Sequence, residues 1–368
     1  MACDAQSIAV NGVKNLHPYV PGKPVEELAR ELGLNEEDIV KLASNENPLG
    51  PSAKVLAAVQ AQLKDITRYP DGNGFALKQA LSSQFGIMQD QITLGNGSND
   101  VLDLITRTFL QPGTNAVFSQ YAFAVYPIST QAVGADLNIV PAVDYGHDLK
   151  AMAEAVNDQT RVVFIANPNN PTGTMFARDE FVSFMAAVPD RVLVVLDEAY
   201  SEYVDDQDYP NGFDYLANYD NLIVTRTFSK AYGLASMRIG YAVSSPEVAD
   251  LLNRVRQPFN VDSFALAAAK AALEDAEYLK QSKALNLKGM DQLTKGFEAL
   301  GLEYIPSKGN FICVKFAVDT CELNQKLLEK GVIVRPVANY GMPEYLRISI
   351  GTESENAQCL SVLEECLG

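Results

Sequence analysis

The sequence predicts an α/β fold in which a large domain built on a mostly parallel sheet is followed by a smaller α+β domain. Three observations carry this prediction. Apolar runs alternate with helix-like segments between residues 91 and 244. Several of those runs, VLVVL above all, are apolar at every position, as strands buried on both faces must be. After Pro258 the alternation gives way to a long stretch of helical periodicity that leads into short strands.

Taken in order, PVEELARELGL (24–34) reads as a short helix, and PSAKVLAAVQAQLKD (51–65) as a second with proline at its start. The strand candidates are QITLG, NAVFSQ, ADLNIV, RVVFIAN, VLVVLD, NLIVTRTF and IGYAVS. Segments such as NDVLDLITRTFL and ARDEFVSFMAAV supply the crossovers that parallel strands require. Beyond Pro258, FALAAAKAALEDAEYLKQSKALNLKGMDQLTKGFEAL keeps the helical period over many turns. NFICVKF, a helix at 320–330, VIVRPV, YLRISI and a final helix complete the chain. This reading divides the molecule into an N-terminal arm (1–45), a large domain (46–255) and a small domain (256–368), with the arm packing beside the small domain or reaching a partner subunit.

At 368 residues the chain is too long for one small core, which agrees with two lobes. Its formal net charge of −17 repels phosphate polymers and anionic lipid surfaces, so neither nucleic acid nor membrane is an expected partner. A small anion responds to a local pocket and is not excluded. The five cysteines are odd in number and form no CxxC pair, which points to reduced thiols and a cytoplasmic setting. MACDAQSIAVNGVKNLHPYV has no basic region followed by an apolar run, so no secretory leader is expected. With neither His17 nor His147 near a second metal-ligand type at useful spacing, no metal site is expected either.

In an open α/β sheet, ligands bind beyond the carboxyl ends of the strands, so polar residues at those ends are the candidates. After QITL comes Gly95-Asn96-Gly97-Ser98-Asn99-Asp100, opening a helix. Glycines allow close backbone approach and a helix N-terminus attracts phosphate, although Ser98 as a plain helix cap explains the same residues. After RVVFIA comes Asn167-Pro168-Asn169-Asn170-Pro171-Thr172-Gly173, either a rigid loop presenting amides or an ordinary turn. After VLVVL comes Asp197-Glu198-Ala199-Tyr200, where a carboxylate ending an apolar strand needs a cation or strong donors. A magnesium-holding acid of a nucleotide triphosphatase would also fit there, but that class requires GxxxxGK[ST], which is absent.

The last strand end carries TFSKAYGLASMRIG. Lys230 lies there between hydroxyl and apolar residues, with Arg238 eight positions on. It is either a snorkelling lysine or an amine nucleophile for a carbonyl group. Together the strand ends provide a phosphate cradle (Gly97, Ser98, Asn99, Ser229, Arg238), an amide and a phenol (Asn170, Tyr200), a carboxylate (Asp197) and an amine (Lys230). Those groups match the phosphate, ring oxygen, ring nitrogen and aldehyde of pyridoxal 5′-phosphate.

With these motifs the chain resembles the fold-type I pyridoxal-phosphate aminotransferases, and among them the histidinol-phosphate aminotransferases, from about LHPYVPGKP to LRISIGT. The resemblance implies that Lys230 holds the cofactor, that Asp197 partners its ring nitrogen, and that Tyr200 and Asn170 donate to its ring hydroxyl. It implies a phosphate cup of Ser98, Asn99, Thr227, Ser229 and Arg238, and Phe123 of YAFAVY stacking on the ring, with Tyr121 as a rival. Tyr69 of TRYPDGNG is similar to the tyrosine that reaches the neighbouring subunit's cofactor phosphate, which implies a homodimer with shared active sites. Arg347 of YLRISIGT and Arg335 of VIVRPVANYG resemble the two arginines of the substrate phosphate site, and Tyr19 the tyrosine that closes over it. The implied reaction is transamination of L-histidinol phosphate with 2-oxoglutarate, giving imidazole acetol phosphate and glutamate, in histidine biosynthesis. An aminotransferase for aromatic amino acids, or a decarboxylase of a phosphorylated amino acid, would share the cofactor motifs. A surface ion pair is the plain alternative for Arg335.

Overall fold

The computed structural model describes residues 3–19 and 21–368. Its larger sheet has seven strands: β1 (Ile92–Gly95), β2 (Asn115–Ser119), β3 (Asp136–Val140), β4 (Thr160–Ala166), β5 (Leu193–Asp197), β6 (Leu222–Thr227) and β7 (Gly240–Val243). They lie in the order β1-β7-β6-β5-β4-β2-β3. All pairings are parallel except those of β7, which runs antiparallel to both β1 and β6. The short connection from β6 to β7 explains the reversal: twelve residues (228–239) hold only one short 3-10 turn, too little for a helical crossover. β5 and β6 are buried along almost their whole length, whereas β3 is an edge strand with three exposed residues.

The register brings the functional strand ends together. Ala166 pairs with Asp197 and Asp197 with Thr225. Thr227 and Gly95 both pair with Gly240. The carboxyl ends of β1, β4, β5 and β6 and the start of β7 therefore form one rim. Side chains alternate along β5, so the two acids that end it point to opposite sides. Asp197 faces the rim. Glu198, fully buried, accepts from Arg226 Nε (2.9 Å) and Nη2 (2.7 Å), from the Gly212 N–H (2.7 Å) and from the Tyr209 hydroxyl (3.0 Å). The Arg226 guanidinium stacks on Phe213 at 3.9 Å.

The second sheet has four strands: β8 (Tyr304–Ile305), β9 (Phe311–Lys315), β10 (Arg335–Pro336) and β11 (Tyr345–Ser349), in the order β10-β11-β9-β8 and antiparallel throughout. Ile312, Val314, Leu346 and Ile348 point to a core with Leu293 and Phe297 of the helix Ala276–Ala299 and with Cys359 and Leu363 of the last helix. Period-two alternation turns Cys313, Arg335 and Arg347 to the other face, toward the large sheet. VIVRPV, expected as one strand, is split. Val332–Ile333 pairs in parallel with Val40–Lys41, so the N-terminal segment joins this half of the molecule, and Arg335–Pro336 pairs with β11. The long helical run is also interrupted. Ser263–Leu273 and Ala276–Ala299 are separate helices, with Asp275 capping the second through the Tyr278 N–H.

Removing one member of a buried ion pair strands the other charge. Arg226→Met should therefore cost about 3–5 kcal/mol in denaturant unfolding, and Glu198→Gln combined with Arg226→Met should recover part of that loss.

Candidate active site

The rim opens into a cavity of about 430 Å³ between the two sheets, roofed by Tyr19, Gly22 and the 43–45 segment. Of the residues singled out in the sequence, Lys230, Asp197, Tyr200, Ser98, Asn99, Phe123, Asn170, Thr227, Ser229, Arg238, Tyr19, Arg335 and Arg347 all line it. A larger open groove of about 1060 Å³ lies between the helices Leu149–Glu154 and Arg178–Ala187 and contains none of them.

Lys230 follows β6 and turns inward, where Nζ donates to the Ser44 carbonyl at 3.0 Å. Burial and the nearby Arg347 disfavour its charged form and bring its pKa down to about 7. Asp197 is 5% exposed and has no cation within 4 Å among the described residues. Its Oδ2 accepts from the Tyr126 hydroxyl at 2.7 Å and its Oδ1 from Thr225 Oγ1 at 2.9 Å. Burial raises the Asp197 pKa and these two donors hold it back. The Tyr200 hydroxyl accepts from Asn45 Nδ2 (3.0 Å) and Asn170 Nδ2 (3.1 Å). With two donors directed at its oxygen, it keeps its own proton for an acceptor in the cavity; burial pushes its pKa up to about 12.

At one end of the cavity the helix Ser98–Phe109 presents its first N–H groups, which have no intrahelical acceptor. Two glycines make this turn possible. A Cβ on Gly97, whose φ is +82°, would lie 2.5 Å from Arg238 Nη2, and one on Gly240 would lie 2.4 Å from the Ser98 nitrogen. Arg238 itself has φ +53°, a strained conformation for a branched-free but bulky residue, and its Nη1 reaches Ser229 Oγ at 3.5 Å. Thr227 Oγ1 accepts from the Ser229 N–H at 3.1 Å, which fixes the turn between the two hydroxyls.

At the other end stand Arg335 and Arg347, directly opposed across β10 and β11. Arg347 Nη1 donates to Asn170 Oδ1 (2.6 Å) and Nη2 to the Ala43 carbonyl (2.8 Å), while its buried Nε has no partner. Arg335 is 8% exposed and lies 5.3 Å from the Tyr19 ring. Among the described residues no carboxylate comes within 4 Å of either guanidinium, so the surface ion pair considered for Arg335 is not formed. Opposed like charges repel. An anion bound between them removes that cost.

Phe123 lines the cavity; Tyr121 does not, and stacks instead on Tyr145 at 5.7 Å. Tyr69 is also away from the cavity, 83% exposed and stacked on Phe259 at 4.8 Å. Sequence reasoning missed Asn45, Ser44, Tyr126 and Thr225. The string SNENP contained a signal for the first two, as turn-forming residues after a short strand. Tyr126 and Thr225 lie within a helix and a strand and carried none.

The donor set suits a ligand with a cationic ring nitrogen near Asp197, an anionic group at the helix N-terminus, a carbonyl near Lys230 and a second anion between the two arginines. Comparisons with known proteins agree. The family description "Aminotransferase class I and II" matches residues 37–363. A histidinol-phosphate aminotransferase 2 of Pseudomonas fluorescens is 62% identical over 367 residues, covering 100% of this chain and 99% of the relative. One of Pseudomonas aeruginosa is 62% identical over 364 residues, covering 99% of each. The crystal structure of histidinol-phosphate aminotransferase from Sinorhizobium meliloti in complex with pyridoxal-5′-phosphate superposes with a TM-score of 0.89 at 31% identity, covering 98% of each chain.

The lowered Lys230 pKa has a direct consequence in the ligand-free protein. Its modification by trinitrobenzenesulfonate should rise with pH through about 7 and level off there, because the amine is already neutral above that value. Surface lysines should continue to gain reactivity toward ~10.4.

Proposed function

The chain belongs to the class I and II aminotransferases and, within them, to the histidinol-phosphate aminotransferases, and from that premise we propose how its own residues transaminate L-histidinol phosphate with 2-oxoglutarate in histidine biosynthesis. It is a pyridoxal-phosphate-dependent enzyme. The observation that carries the assignment of roles is the charge arrangement of the cavity: among the described residues, a buried carboxylate without a cation and two arginines without a carboxylate line it together with an amine of lowered pKa.

Pyridoxal phosphate, when bound, supplies the electron sink that lets an amino group leave one substrate and join another. Ser98, Asn99, Thr227, Ser229 and Arg238 hold its phosphate through the helix N-terminus, two hydroxyls and a guanidinium. Asp197 provides the negative charge that keeps its ring nitrogen protonated. Tyr200 and Asn170 offer hydrogen-bond donors to its ring oxygen, and Phe123 covers one face of the ring. Lys230 would hold its aldehyde carbon, and with its Nζ free it would take the proton from the substrate carbon that bears the amino group, a task suited to an amine titrating near neutral pH.

Arg335 and Arg347 bind the substrate phosphate, whose two charges match two guanidiniums, and Tyr19 closes over it. The same site accepts the distal carboxylate of 2-oxoglutarate in the second half-reaction, through Arg347. Exposed Leu56, Leu63, Ile66, Tyr69 and Phe259 support a homodimer in which Tyr69 reaches the partner's cofactor phosphate. We assign residues 46–255 to the cofactor domain, 256–368 to the small domain and 1–45 to the arm, with the helix Ser263–Leu273 packing back on the core of the large sheet. Five free cysteines support a cytoplasmic location. Among the described residues no helix is long and apolar enough to cross a membrane.

Adding L-histidinol phosphate without an acceptor should bleach the visible band of the purified enzyme; a band bleached by phenylalanine but not by histidinol phosphate would move the activity to aromatic substrates. Lys230→Ala should abolish turnover in a folded protein. Arg335→Ala should lower kcat/KM for histidinol phosphate by about 10²-fold or more, from the loss of a charge-assisted contact, and the value for glutamate far less. Equal losses would refute the phosphate-site role.

A further inference from the structure

Tyr126 belongs to the YAFAVY segment that supplies Phe123, but no role follows for it from the reaction. It lies in the helix Val125–Ala132 and is 1% exposed. Its hydroxyl donates to Asp197 Oδ2 at 2.7 Å. Its ring stacks on Phe164 of β4 (4.7 Å, 11°) and meets Phe123 edge-on (5.9 Å, 86°). One side chain thus touches both the carboxylate assigned to the ring nitrogen and the aromatic assigned to the ring face.

We propose that Tyr126 is a positioning residue for the cofactor's ring nitrogen, holding Asp197 as an oriented, ionised carboxylate. The inference rests on the reading of Asp197 as the partner of that nitrogen. A carboxylate only accepts, so the Tyr126 proton has no ambiguity of direction. Burial and the neighbouring Glu198 push Asp197 toward its neutral form, and Glu198 is in turn paired with Arg226. Against that stand the donors Tyr126 from the helix, Thr225 from β6 and the Ala199 N–H from its own strand end. Burial also raises the pKa of Tyr126, so it remains a neutral donor at every physiological pH. Each carboxylate oxygen has one protein side-chain donor. The free lone pairs are left to face the cavity, and the plane of the group is fixed by two hydrogen bonds from different elements.

The test is binding by cofactor-stripped protein, comparing pyridoxal phosphate with the analogue in which CH replaces the ring nitrogen. Wild-type protein should prefer pyridoxal phosphate. In Tyr126→Phe that preference should shrink by about ten-fold or more, the effect of one hydrogen bond to a charged group. Thr225→Val should shrink it also, and serves as the second variant should Tyr126→Phe misfold. If Tyr126→Phe weakens both ligands equally and leaves the preference intact, Tyr126 only supports packing and the inference is wrong. A wild-type protein with no preference would refute the Asp197 reading, and this inference with it.

Discussion

Unpaired charge, held apart by neutral partners, is the constraint on which the cavity depends. Asp197 ends an almost fully buried strand and, among the described residues, is stabilised by a tyrosine and a threonine, not by a cation. Arg335 and Arg347 face the same cavity with no carboxylate between them among the described residues. Buried charge is costly unless paired, so the ligand-free fold retains an electrostatic demand that a ligand of complementary charge satisfies. Glu198 shows the alternative one residue further on. Pointing to the other side of the sheet, it is saturated by Arg226, Gly212 and Tyr209 and has no capacity left for a ligand.

Strand register sets Asp197, Thr227, Arg335 and Arg347, while the loops that follow the strands carry Asn170, Tyr200, Ser229, Lys230 and Arg238. Asp197 and Thr225 are neighbours in the ladder between β5 and β6, and Arg335 and Arg347 are neighbours between β10 and β11. The two sheets then meet through Arg347, whose guanidinium spans the Asn170 loop and the Ala43 carbonyl. A side chain proposed to bind substrate therefore also ties the small sheet to the large one.

Much of this was legible in the sequence. Lys230, Asp197, Asn170 and Ser98 all follow apolar runs, and a run that ends in a polar residue marks a rim position whenever the strand is parallel and buried. The reading was less secure where one period served two ends. VIVRPV is apolar enough for a continuous strand, yet it divides between two pairings, one of them with residues about 290 positions earlier in the chain. The 263–299 run kept helical spacing through Glu274-Asp275, and only the cap at Asp275 shows the break. Phe123 and Tyr121 are equivalent by spacing; packing against Tyr145 separates them.

By itself the sequence determined the large sheet's strands, the polar residues at their ends and the chemistry those residues share, because each follows from local period and residue type. Only the tertiary structure decided which partners meet. It brought Asn45 to Tyr200 across 155 positions, placed Tyr126 beneath Asp197, set the two arginines opposite one another and left Tyr69 outside the cavity. Contacts of that kind depend on register and on the packing of distant elements, and neither is written in the spacing of any one segment.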